Sequence, residues 1–141
     1  MTEELTKALN LLKSDRAITL AVVNRGKNRI FTARGVKPLL ELATATPDFL
    51  EGASVADKVT GAASAFILVQ GKVKELYTDV ISQRAAEILE EHGIPYTAPT
   101  TVGGIVNRQG NGNCPMESAV KDINDPQKAI RAISDKLTEL S

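Results

Sequence analysis

Residues 54–82 read SVADKVTGAASAFILVQGKVKELYTDVIS, and the division of this stretch into elements decides the fold. Ser54 and Asp57 match the S-x-x-D pattern of a capping box, so a helix is expected to begin at Ser54. It would carry Val55, Val59, Ala62 and Ala63 on one side. Gly61 would cost that helix stability unless something must pack closely there. FILVQ at 66–70 is an apolar run of strand length, Gly71-Lys72 turns the chain, and Glu75 to Ile81 reads as a further strand. Ser82 is placed to cap a helix over 83–92, with Ala85, Ala86, Ile88 and Leu89 on its apolar face and Gly93 as its stop. Strand, helix and strand at this spacing imply parallel crossover units covered by helices.

Upstream, Leu5, Leu9 and Leu12 recur at helical spacing behind Thr2, which predicts a first helix over 3–13. RAITLAVV at 16–23 and RIFTA at 29–33, joined by Arg25-Gly26-Lys27-Asn28, read as an antiparallel hairpin. Val36 to Ala45 follows as a helix with Pro38 in its first turn. Downstream, Ile94 to Ala98 reads as a short strand. Residues 99–113, PTTVGGIVNRQGNGN, lack periodicity and read as a long loop of the kind that usually either has a function or is disordered. Cys114-Pro115 opens a short helix, and Asp125-Pro126 opens the last one, where Ile130, Ile133, Leu137 and Leu140 align.

The chain of 141 residues fits one domain, 1–141, with the helix of 1–13 leading into a core of 14–141. Seventeen basic side chains balance seventeen acidic ones, with one cysteine, one histidine and no tryptophan. That excludes an internal disulfide and a Cys/His zinc finger, and specific DNA or RNA binding is not expected from a chain without dense Lys/Arg patches. The longest apolar run, AASAFILV at 62–69, is too short to span a bilayer, and the first residues lack the apolar core of a secretory leader, so a cytoplasmic location is expected. The balance hides an asymmetry: residues 1–40 carry eight basic and three acidic side chains, and residues 41–100 four basic and nine acidic. Arg25, Lys27, Arg29, Arg34 and Lys37 concentrate the basic excess, which suits either a charged sheet edge or an anion-attracting rim.

Several residues could carry chemistry. Cys114, just before Pro115, is the expected N-cap of its helix, where a thiolate would face unpaired N–H groups. Glu117 stands at the same helix mouth. Asp57 and Lys58, read at the mouth of the helix from Ser54, could relay a proton and hold an anion. In the loop, Arg108 could grip a phosphate or carboxylate and Asn107 an amide or base edge. Each has a plainer role as a cap, a solvated loop residue or a core cysteine. His92 suits an ordinary helix end.

The segments RGVKPLLEL (34–42), VADKVTGAASAFIL (55–68), TDVIS (78–82), EHGIPY (91–96) and IVNRQGNGNCPMESAV (105–120) together resemble the DUF1893 family of small bacterial proteins of unknown function. The resemblance implies the fold of the cytidine deaminase superfamily, a three-layer α/β/α sandwich around a mixed five-stranded sheet. In active members of that superfamily a His or Cys ligand lies two residues before a catalytic Glu at one helix start, and Pro-Cys-x-x-Cys at another supplies two further zinc ligands. Carried over, Val55 takes the first ligand position, Asp57 the catalytic carboxylate, and Cys114 and Glu117 the two later positions. Valine binds no zinc, and the remainder falls short of the three protein ligands a catalytic zinc needs, which argues against zinc and against zinc-dependent deamination. The implied function is binding of a nucleotide, nucleoside or related small anion between helix mouths at 54–58 and 114–117. Ser54, Asn107, Arg108 and Glu117 would be binding residues, with Cys114, Asp57 and Lys58 available for non-zinc catalysis. A structural or interaction role and a homo-oligomer are the other expectations.

Overall fold

The computed structural model describes residues 1–105 and 114–140. Helix α1 (Glu3–Ser14) is followed by the hairpin β1 (Leu20–Asn24) and β2 (Lys27–Phe31). Then come α2 (Lys37–Ala45), α3 (Pro47–Leu50), β3 (Ser54–Thr60), α4 (Ala62–Gln70), β4 (Glu75–Ser82) and α5 (Gln83–Glu91). The short strands β5 (Tyr96–Thr97) and β6 (Thr100–Val102) precede α6 (Pro115–Ala119) and α7 (Pro126–Leu140).

The sheet runs β2-β1-β3-β4-β5, with β6 also paired to β4. Strand β1 is antiparallel to both neighbours, whereas β3, β4, β5 and β6 are mutually parallel. The fifth position of the sheet is thus shared: β5 pairs with Leu76 and Tyr77, and β6 with Val80, Ile81 and Ser82. Pro99 lies between the two pieces and has no N–H to give the ladder. The expected 99–113 loop therefore begins with a strand.

Helix α1 packs on one face through Leu5, Ala8 and Leu12, against Ala21, Val23, Ala56 and Tyr77. The larger core fills the other face, where α2, α4, α5, α6 and α7 contribute Leu39, Phe66, Leu89, Met116 and Ile133 around Val22, Val55 and Leu76. The result is a three-layer α/β/α sandwich on a mixed sheet, the architecture that the resemblance implies.

Two assignments in 54–70 are corrected. Ser54 to Thr60 is a strand rather than a helix, and Ala62 to Gln70 is a helix rather than a strand. The capping-box pattern of Ser54 and Asp57 is coincidental. Ser54 is wholly buried and its hydroxyl donates to Glu75 Oε2 at 2.6 Å. The helix lacks a polar stripe because it is central: Ala62 through Leu68 are all buried between the sheet and the outer helices. Elsewhere the element types agree, although the hairpin strands are shorter and shifted to 20–24 and 27–31, the strand expected over 94–98 is only Tyr96–Thr97, and the helix Pro47–Leu50 was not expected. Ser82 caps α5 by accepting from Ala85 N at 3.1 Å, and Asp125 accepts from Lys128 N at 3.0 Å at the start of α7. The hairpin turn is tighter than expected: Arg25 and Gly26 alone make it, at φ 52° and 77°.

Candidate functional site

Strand β3 carries Asp57 and Lys58 at its middle and Thr60 at its carboxyl end, around an irregularity. Asp57 pairs with Thr78 and Val59 with Val80, but Lys58 and Asp79 between them make no such pairing. Strand alternation slips here. Leu76 and Ile81, five positions apart, both lie in the larger core, although an odd spacing would put them on opposite faces of a regular strand. The same slip leaves Val59 45% exposed and buries Thr60 completely.

Asp57 is half-buried on the face of Val55, opposite Leu20 of β1. Loss of solvent pushes its carboxyl up to about 7; hydrogen bonding from the Lys58 and Val59 N–H groups and the nearby Thr60 hydroxyl opposes that rise, and the like charge of Asp79 adds to it. The Lys58 N–H donates to Asp57 Oδ1 at 2.8 Å. Thr60 Oγ1 completes no hydrogen bond of normal geometry, although it lies close enough to favour the ionised form of Asp57.

Lys58, adjacent in the strand, projects the other way and donates from Nζ to the Arg16 carbonyl in the loop after α1. On that α1 side, Lys13 Nζ pairs with Asp79 Oδ1 at 2.5 Å, and the Tyr77 hydroxyl donates to the same oxygen at 2.7 Å. Burial raises the Asp79 carboxyl, but its bonds with Lys13 and Tyr77 outweigh this and hold it below the ordinary range. Asp57 and Lys58 therefore do not converge. Ser54 does not join them either, since it starts β3, about 10 Å from Asp57 at strand rise, and its hydroxyl is engaged by Glu75.

The helix mouth expected at 54–58 lies instead at Gly61-Ala62-Ala63, the start of α4. Its N–H groups are already engaged. Glu117 Oε1 accepts from Ala62 N at 2.7 Å and Oε2 from Ala63 N at 2.9 Å. A Cβ at residue 61 would stand 2.5 Å from Glu117 Oε1, so any larger residue would have to displace the carboxylate from its two hydrogen bonds. Glu117 thus clamps α6 onto α4 as a carboxylate cap donated from elsewhere in the chain. Cys114 is the N-cap residue of α6, as its sequence implies; it is half-buried against the larger core, and its N–H donates to the Ile105 carbonyl at 3.1 Å. Asn107 and Arg108 lie outside the described residues.

Zinc does not fit this arrangement. Val55 is buried within a strand, the mouth of α4 offers only Gly61, Ala62 and Ala63, and both Glu117 oxygens are bonded to backbone. Among the described residues no group of three or more His, Cys, Asp or Glu side chains could hold a metal ion. Thr60, Glu75 and the Tyr77–Asp79–Lys13 group were not foreseen from the sequence. Each acquires meaning only from neighbours across the sheet.

Among the described residues no helix is long and apolar enough to cross a membrane. No curated protein matches the chain. Among solved structures, a DUF1893 family protein (TM1506) from Thermotoga maritima is 26% identical, with a TM-score of 0.85 over 96% of this chain and 92% of that one. RibD of Acinetobacter baumannii is 16% identical, with a TM-score of 0.45 over 68% of this chain and 32% of that one. The family model described as a domain of unknown function (DUF1893) matches residues 7–137. With that match spanning nearly all of its length, the chain belongs to the DUF1893 family.

Proposed function

We propose that this protein binds a small polar ligand of the nucleoside, nucleotide or related anionic class beside Asp57 and Thr60 in the carboxyl-terminal half of β3, in the cytoplasm and without zinc-dependent deamination. The observation that carries this reading is the pairing of Asp57 with Thr60. A half-buried carboxyl pushed up to about 7 sits beside a fully buried hydroxyl whose approach to that same carboxyl falls short of normal hydrogen-bond geometry. Buried polar groups left open are costly in a folded protein and mark places where another molecule supplies the partner. Near neutrality Asp57 both donates and accepts, as binding to a base edge or an amide requires. Carboxyl ends of parallel strands are also where open α/β sheets hold ligands. Arg108 and Asn107 would add contacts to a phosphate and a base, and Cys114 stands at the start of the helix whose Glu117 reaches the mouth of α4.

Thermal unfolding in the presence of nucleobases, nucleosides and nucleotides, at pH 6 and pH 8, tests this. A bound ligand raises Tm with concentration, since anything that binds only the folded state stabilises it. The shift should differ between the two pH values and fall sharply in Asp57→Asn. No stabilisation by any compound at millimolar concentration at either pH would sink the proposal.

A further inference from the structure

The other end of the sheet holds a second polar centre. Glu75 opens β4 and is only 8% exposed. Its Oε2 accepts from the Ser54 hydroxyl at 2.6 Å and from the Thr2 hydroxyl. Both donors are neutral. Among the described residues the ion pairs are Lys13–Asp79 and Lys136–Glu139, so no cationic side chain there answers the Glu75 carboxylate. Buried carboxylates are ordinarily paired with a cation, because hydroxyl donors alone recover only part of the lost hydration.

Glu75 also lines an open cleft of about 190 Å³, together with Met1, Leu5, Leu76, Pro95, Tyr96 and Thr97; the Met1 ammonium makes no ion pair with it. Leu5, Leu76 and Pro95 supply apolar wall. Tyr96 adds an aromatic side chain whose hydroxyl is already committed to Glu90 Oε1 at 2.7 Å. One anionic group beside aliphatic and aromatic surface complements a compact organic cation: charge on Glu75, methylenes on the apolar wall, and the ring favouring positive charge. An anion would be repelled, and a neutral molecule would leave the carboxylate unanswered.

We propose that this cleft binds a small primary aliphatic amine, with its ammonium group paired to Glu75. It is separate from the Asp57 region and shares no residue with it. Amide NMR of the full chain, titrated with butylamine, 1,4-diaminobutane and 1-butanol at constant ionic strength, tests the assignment. The expected result is saturable shifts at Leu76, Tyr96 and Thr97 with both amines and none with the alcohol. Glu75→Gln, which keeps an acceptor for Ser54, should weaken amine binding at least tenfold. Equal responses to amine and alcohol, shifts that never saturate, or undiminished binding in Glu75→Gln would each overturn the proposal. Should Glu75→Gln fail to fold, the amine–alcohol contrast in the unmodified protein decides alone.

Discussion

Glu117 shows how one side chain couples two elements. It would be an unremarked acidic residue in the first turn of α6, yet its carboxylate closes the N-terminus of α4 with two short hydrogen bonds. Charged acceptors in such bonds contribute more than neutral ones, and we expect Glu117→Ala to lower stability by about 2–3 kcal/mol in urea unfolding. Gly61→Ala should also destabilise, because the new methyl meets the pinned carboxylate. The double variant should lose less than the two single losses together, since removing Glu117 vacates the space the methyl needs. Strict additivity would show that the two residues do not meet.

Asp57 gives a pH dependence of definite sign. Its folded value, about 7, lies above the ordinary 3.8, so between these values the folded state holds the proton more firmly than the unfolded one. Stability should then fall as pH rises from about 4 to 7, by at most roughly 1.4 kcal/mol per unit, and level off above 7. Urea unfolding from pH 4.5 to 8 checks this. Asp57→Asn should flatten the slope, and an unchanged slope would place the titration elsewhere. The position of Asp57 was visible in the sequence as a motif residue, but its role as a helix cap was misread. S-x-x-D is a local pattern, and only pairing with Leu20 and Thr78 makes the same four residues extended.

At the scale of elements, α4 and β3 exchange the identities that periodicity suggests. FILV within α4 has no polar partner positions because every side of that helix from Ala62 to Leu68 is covered. An all-round apolar run cannot be told from a buried strand by pattern alone. Elements with one solvated face were legible: α1, α5 and α7 each present a stripe, and their caps at Thr2, Ser82 and Asp125 all form. The covering of α4 has a measurable consequence. We expect Leu68→Ala, at a site with no exposed surface, to cost about 2–5 kcal/mol in chemical denaturation. A loss under about 1 kcal/mol would contradict the central placement of this helix.

Over the whole molecule, the charge asymmetry becomes a geometric one. Of the hairpin's basic residues Arg25 makes the turn, while Lys27 and Arg29 lie along β2, an edge strand whose first four residues are exposed. Arg29 rests on the Phe49 ring at 5.1 Å, and Lys27 stays in solvent. Like charges on an open edge oppose pairing with a second copy. Replacing Lys27 and Arg29 with threonine should increase self-association in sedimentation velocity, most clearly at low salt. The opposite edge is split between β5 and β6, with Pro99 at the break.

The sequence by itself determined the α/β class, the hairpin and the capped outer helices, because these follow from local propensity; the lack of a zinc ligand set followed from the family resemblance, which puts Val55 and Glu117 at ligand positions. Tertiary structure decided which of 54–60 and 62–70 is strand or helix, that Lys58 turns away from Asp57, and that Glu117 fills the mouth of α4. It also set the buried Thr60 hydroxyl beside the Asp57 carboxyl and, among the described residues, left Glu75 without a cationic side chain. Those outcomes depend on which residues from distant parts of the chain share a dry, crowded space. Periodicity records which side of an element meets water, and where no side does, only packing settles the choice.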